Sequence, residues 1–514
     1  MKNTLIIVLF LSTSFCAAQI LNPQPKEVTQ KFFPDFDVEI TTPAFQKKKG
    51  FTTYSEMMAY LKPLSENHQD IATLSYIGES QKGEKIPFLL LNKKDSNQEK
   101  VKVWIQAAIH GDEPASAEGV LFLIKKLLTD DSYQYLFDKL EIGIIPMANI
   151  DGFNKQLRDA KNGLDLNRDQ TKLNAKESII LKQAFSDFNA EVALDFHEYR
   201  PFRRDFVHYA EYGVTNPYDV MFLYSGNLNV PENLREFTKN EFVDPAKSYL
   251  KENDLRSFDY FSTSDCQGYT CFNLGSINAR SSATSYALTN AISTLIEVRG
   301  VGLGKTSFKR RTMTTFLIAE SYLKSAYENS AFIKEVISEA IQNKHEAVVK
   351  SKRYVSKAQM KFIDLATNEM ISEEVILRNA LKSSATLTRK RPTAYVLLPS
   401  QEKLVKRLRV LGLEVKELNK ETSAEVEKYT VTKYHPNLNK YEGVHRQDLT
   451  TETSTVQKEF ASGSYVVYMN QKNANLAIET LEPEAENSFL SYNVLETDLG
   501  EELPYYRYLK QEKL

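Results

Sequence analysis

The chain has 514 residues, 42% of them hydrophobic and 26% charged, with 65 basic against 67 acidic side chains and a net charge of -2. At roughly 100–200 residues per domain, this length predicts two or three domains with ample material for a buried core. The balanced charge excludes a sequence-wide basic field for nucleic acid, the apolar content excludes a disordered chain, and the lack of any run of about 18 apolar residues excludes a permanent membrane span.

At the start of the chain, Lys2 precedes the apolar run Leu5–Leu11, and Ala17 and Ala18 follow. A basic start, a short apolar stretch and a small-residue exit predict a signal peptide over residues 1–18. The mature chain is then exported, periplasmic or extracellular, with no membrane span after cleavage. Bulky Phe15 before Cys16 argues against lipidation. Of the three cysteines, Cys266 and Cys271 remain; they suit a short disulfide loop in an oxidising compartment, two buried thiols being the alternative.

A first domain over residues 19–350 alternates helical and strand patterns from about residue 50 to 340. Tyr54–Leu61 has helical spacing, and Ile86–Leu91 and Val101–Ile109 are short apolar runs, the second holding the lone Trp104. The amphipathic stretch Ala115–Leu128 comes next, then apolar Ile142–Met147, Val192–Phe196 and Ser293–Val298. Short continuous apolar runs separated by helices predict an α/β domain whose sheet is buried on both faces. Residues 310–350 are helical in pattern. From 351 to 514, alternating Thr/Val/Tyr-rich segments predict a mainly β, sandwich-like domain with one embedded helix, Gln401–Leu411.

The chemistry starts at His110-Gly111-Asp112-Glu113, between a strand and a helix. A histidine and a carboxylate three residues apart at such a junction can face one point, and His197, at the end of the Val192–Phe196 run, supplies a third donor. Two histidines and a glutamate with one position left for water form the ligand set of a catalytic zinc, and carboxyl ends of strands are where α/β sheets gather their sites. Glu297 lies inside an apolar run, where a carboxylate is costly unless used or paired; it reads as a general base or as an ion-pair partner of Arg299. Arg158, Asn167 and Arg168 read as a carboxylate clamp or, for the arginines, as surface charges.

Taken together, the His-x-x-Glu pair, Asn149-Ile150-Asp151-Gly152, Asn167-Arg168, His197 and Glu297-Val298-Arg299 resemble, in order, the marks of the zinc metallocarboxypeptidase family. The resemblance spans about residues 50–340. It implies a mixed central sheet flanked by helices and one zinc ion held by His110, Glu113 and His197. It further implies that Glu297 moves protons between zinc-bound water and the leaving amine, and that Arg158 stabilises the oxyanion. Asn167 and Arg168 would bind the terminal carboxylate of a peptide or protein, and Asp165 would accept from the ring N–H of His110. The substrate-capping tyrosine falls on Tyr286 or Tyr269. The stretch from Arg200 to Arg280 forms the pocket rim, with Arg203 and Arg204 adding charge, while small Ser281 and Ser282 leave room for an apolar side chain. The C-terminal part resembles the β-rich appendage of some bacterial members. Cell-wall peptides or acylated amino acids are the alternative substrates of the same zinc site, and an inactive binding scaffold is the alternative of another class.

Overall fold

A computed structural model describes residues 22–93, 99–342 and 345–514; the leader expected over residues 1–18 lies outside them. The strands in chain order are β1 (Ala72–Glu79), β2 (Lys85–Leu91), β3 (Val101–Ala107), β4 (Leu140–Ile145), β5 (Val192–Tyr199), β6 (Val214–Thr215), β7 (Val220–Tyr224), β8 (Ser257–Asp259), β9 (Phe261–Cys266), β10 (Tyr269–Leu274) and β11 (Ile292–Arg299). They continue with β12 (Ala347–Asp364), β13 (Met370–Arg389), β14 (Ala394–Leu397), β15 (Lys416–Glu417), β16 (Thr422–Tyr441), β17 (Val444–Phe460), β18 (Tyr465–Tyr468) and β19 (Glu502–Tyr508).

The first sheet has eight strands in the order β1-β2-β4-β3-β5-β11-β7-β8. Its centre, β4-β3-β5-β11, is parallel; β2 and β7 run antiparallel to it on either side, and β1 pairs antiparallel with β2. Every residue of β5 is buried, as a strand covered on both faces requires. The helices Pro114–Thr129 and Phe308–Glu328 pack together against the sheet. A Cβ on Gly119 would lie 2.3 Å from Thr315, so only glycine lets these two helices approach so closely. The helix Tyr54–Glu66 starts at a capping box, in which Thr53 and Glu56 satisfy each other's backbone N–H groups.

The second sheet, β6-β12-β13-β10-β9, joins the two halves of the chain: β12 pairs with β6, and β13 runs parallel to β10. The boundary expected at 350 falls inside β12, which opens at Ala347. Cys266 and Cys271 form a disulfide across the β9–β10 turn. The third sheet, β15-β18-β14-β19-β16-β17, is antiparallel throughout. Its two-residue alternation splits β14: Tyr395 and Leu397 join the main core, together with Leu404 and Leu408 of the helix Glu402–Val410, while Ala394 and Val396 face a separate cluster.

The seam between the C-terminal sheet and the catalytic region buries Glu479, on the helix Ala474–Leu481, where the Asn227 and Asn229 amides donate to it at 2.7 and 2.9 Å. Burial outweighs these bonds and pushes its carboxyl up to about 7. A carboxyl whose folded pKa is raised contributes fully below its unfolded value and loses that contribution as pH rises to the folded one, here a loss of roughly 3 kcal/mol between about pH 4.5 and 7. Glu479→Gln, which imitates the neutral form, flattens the fall in Tm from pH 5 to 8; an unchanged Tm profile would remove Glu479 from this role.

Candidate active site

The parallel strands β3, β5 and β11 end on one edge; His197 and Glu297 lie near the ends of β5 and β11, and His110 and Glu113 follow β3. Past β3, Ala108 turns the chain in the left-handed region (φ 54°), which brings His110 and Glu113 over the ends of the strands. Pro114 then opens the following helix. Gly111 lies against the backbone of Gly152, Phe153 and Leu157, which a Cβ would meet at 2.2–2.4 Å, so this contact sets the Arg158 loop beside the His110 loop. Asn149 braces that loop from within, accepting from Gly152 N–H and donating to the Arg158 carbonyl.

His110, Glu113 and His197 come together fully buried, with one donor atom from each inside a 4.8 Å cluster. The two Nδ1 atoms stand 3.0 Å apart, with Glu113 oxygens 2.8 Å from His110 Nδ1 and 2.9 Å from His197 Nδ1. Each Nε2 faces a carboxylate instead: Asp165 at 3.0 Å from His110, and Asp195 at 3.0 Å from His197. These acceptors hold the protons on Nε2 and leave both Nδ1 atoms for a cation, the arrangement that orients histidine ligands. Two imidazole nitrogens and a carboxylate oxygen converging on one buried point fit zinc.

Glu297 is the register partner of His197 across β11 and β5. It lines the cavity, and its carboxyl makes no hydrogen bond to a described residue. Arg299, its candidate ion-pair partner, bonds instead to Gln24, Thr215 and the Asn216 carbonyl. Burial and the neighbouring Glu113 raise the Glu297 pKa against the pull of His197, His110 and Arg158. Glu113 moves the other way: burial opposes its charge, yet His110 and His197 hold its carboxyl well below the usual range. The two neighbouring carboxyls are thus driven apart in acidity by their surroundings.

Arg158 bonds to Asp165 through Nε at 3.1 Å and NH2 at 2.9 Å, and its NH1 is 3.4 Å from Glu113. Burial disfavours its charge, but Asp165, Glu113 and Glu297 more than restore it. Asn167 accepts from Ser282 N–H at 2.7 Å, which directs its amide N–H groups away from that contact, and Arg168 lies beside it, its NH1 on the Asn167 carbonyl. His110, Arg158, Asn167, Arg168 and Glu297 all border one cavity of about 490 Å³. The Arg200–Arg280 stretch supplies much of the remaining wall, as expected of a rim.

Both tyrosine expectations are corrected. Tyr286 is 1% exposed, stacked on Phe185 at 3.9 Å between ring centroids, with its hydroxyl on Gln106; it packs the core because the helix Ser282–Ala287 turns it inward. Tyr269 is 69% exposed at the tip of the β9–β10 hairpin and does not line the cavity. Tyr260 lines it instead. Ser281 borders the cavity, whereas Ser282 is buried and holds Asn167. Sequence reasoning missed Asp195, although its signal was present: a carboxylate inside an apolar strand, two residues before His197 and so on the same face. Gln106 donates to Asp195 at 3.2 Å and completes that support.

The zinc carboxypeptidase family profile matches residues 57–331, more than half of the chain. Carboxypeptidase 2 of Trichophyton rubrum is 27% identical over 476 residues, covering 89% of this chain and 87% of that protein. Carboxypeptidase M of Mus musculus is 31% identical over 127 residues, 22% of this chain and 29% of that one. Among solved structures, a metallo-carboxypeptidase from Burkholderia cenocepacia superposes with a TM-score of 0.42 at 17% identity, over 55% of this chain and 70% of that one. Carboxypeptidase A from Helicoverpa armigera also gives 0.42, at 18% identity, over 57% and 79%. A hydrolase with a buried His-Glu-His metal site on an α/β scaffold is thus the class. The chain belongs to the zinc carboxypeptidase family; it is a metallocarboxypeptidase, and zinc is its cofactor.

Proposed function

We propose that the chain removes single C-terminal residues from peptides or proteins by a proton relay through Glu297, with His110, Glu113 and His197 holding the metal. The observation that carries this reading is the pairing of Glu297 with His197 across β5 and β11, which stands an unbonded carboxyl of raised pKa beside the metal ligands on a shared cavity. Bound zinc supplies Lewis acidity for the carbonyl and acidifies water. Glu297 accepts a proton from the attacking water and delivers it to the departing amine as the C–N bond breaks, work for which a raised carboxyl pKa is suited. Arg158, kept cationic by Asp165, donates to the carbonyl oxygen as charge develops there. The Asn167 amide and the Arg168 guanidinium bind the free carboxylate that marks a chain end.

The catalytic unit in this reading follows a leader over residues 1–18 and ends where β12 begins, with the β-rich unit beyond. The Cys266–Cys271 disulfide supports export, since such bonds persist in oxidising compartments. The test is mass spectrometry of peptide pairs with free and amidated C-termini, incubated with and without a zinc chelator. Chelator-sensitive loss of single residues from free ends only is expected. Equal trimming of amidated peptides, or cleavage at internal bonds, would overturn the reading, and trimming of cell-wall stem peptides alone would move the substrate class.

A further inference from the structure

Six arginines border the active-site cavity: Arg158, Arg168, Arg200, Arg203, Arg280 and Arg353. Three of them face protein carboxylates. Arg158 holds Asp165, Arg280 holds Glu442 at 3.0 Å, and Arg168 lies 3.9 Å from Glu442. Arg200, Arg203 and Arg353 form no salt bridge with a described residue. The carboxylates on the same wall are Asp112, Glu198 and Glu297; Glu198 is bound to Arg311, which leaves two carboxylates against these three arginines. The cavity therefore carries excess positive charge in a chain whose net charge is -2.

Arg353 differs from the others in origin and in bonding. It comes from β12, beyond the family match, and β13 and β10 carry it to the cavity as neighbours in the second sheet. Its NH1 donates to Asn273 Oδ1 at 3.4 Å, and Asn273 in turn is oriented by donating to Ser264 at 2.9 Å. Its Nε is buried and has no acceptor. A buried guanidinium N–H without a partner is costly, and a carboxylate is the acceptor that matches its fork. Burial, with Arg378 and Arg280 nearby, lowers its pKa, and Glu486 offsets this in part. Leu295, two residues before Glu297 on the same strand face, and its register partner Leu223 form an apolar floor with Tyr260. The cavity beside Glu297 thus offers a side chain both apolar surface and a guanidinium with an unpaired N–H.

We propose that this cavity selects peptides whose C-terminal residue bears a side-chain carboxylate, glutamate or aspartate, with Arg353 as the specificity-determining residue. The inference rests on the carboxypeptidase reading of the site and replaces the apolar preference expected from Ser281 and Ser282. Arg200 and Arg203 add to the field that draws an acidic chain end inward.

The test uses the whole zinc-loaded protein and peptides identical except for a final Glu or Gln, which differ in charge and hardly in shape. The wild type shows a kcat/KM for the Glu peptide at least tenfold above that for the Gln peptide. Arg353→Gln reduces this ratio at least tenfold, and Arg353→Lys, which keeps the charge but loses the fork, gives an intermediate ratio. Zinc content and Tm, measured for each variant, report whether the fold is retained. A wild-type preference for the Gln peptide, or an unchanged ratio in Arg353→Gln, would overturn the inference while leaving the carboxypeptidase intact. Failure to release a residue from either peptide, or from an apolar-ended control, would overturn the underlying reading instead.

Discussion

Replacing Glu297 by glutamine lowers kcat by about 10²- to 10⁴-fold, the range for losing a positioned acid–base group, while one equivalent of zinc stays bound. Both halves of this expectation come from the geometry. The Glu297 side chain bonds to no described residue, and its pairing with His197 sets it beside the metal ligands but outside their buried cluster. Glutamine keeps the shape and the apolar contacts but can neither take a proton from water nor return one to the amine. Turnover and metal content measured on one preparation decide the matter. Normal turnover would remove Glu297 from the mechanism, and loss of zinc would make it a ligand.

His197→Ala costs zinc affinity by more than the 10- to 100-fold typical of residues that merely support a ligand. The imidazole is 0% exposed and lies between Asp195 and Glu113. Its loss removes one of three donors and leaves two buried carboxylates without their shared partner, at a cost of about 3–5 kcal/mol in fold stability. A metal that binds only the folded chain raises Tm by mass action, so chelation lowers the Tm of the wild type and leaves that of the variant unmoved. Metal analysis after gel filtration, with calorimetry in the presence and absence of a chelator, measures both effects. A variant that retains one equivalent of zinc would take His197 out of the ligand set.

The site residues that were legible in the sequence share a local signature. His110 and Glu113 follow an apolar run at the spacing a strand-to-helix turn needs. His197 ends a second run, and Glu297 is a charged residue inside a third. Each is visible because burying a polar group in an apolar strand is costly and so marks a use for it. Asp195 carries the same mark and could have been found the same way. The tyrosines could not be ordered by such reasoning. Tyr260 and Tyr269 lie in the rim stretch from Arg200 to Arg280 and Tyr286 just after it, and their fates (cavity wall, hairpin tip and core) depend on how a hairpin and a helix pack.

Apolar runs, helical spacings and polar residues set at strand ends marked out the α/β sheet, the mainly β C-terminal part and the group His110, Glu113 and His197 with Glu297 nearby, because periodicity and the cost of burying charge act within a few residues of chain. Only the tertiary structure decided which groups from distant segments meet at the cavity. Arg353 reaches it through a sheet built from both halves of the chain, and Glu442 comes from the turn between β16 and β17 to hold Arg280 and Lys172. The pairing of β13 with β10 and the reach of a long hairpin join residues more than 100 positions apart, and no local pattern in the sequence encodes such a meeting.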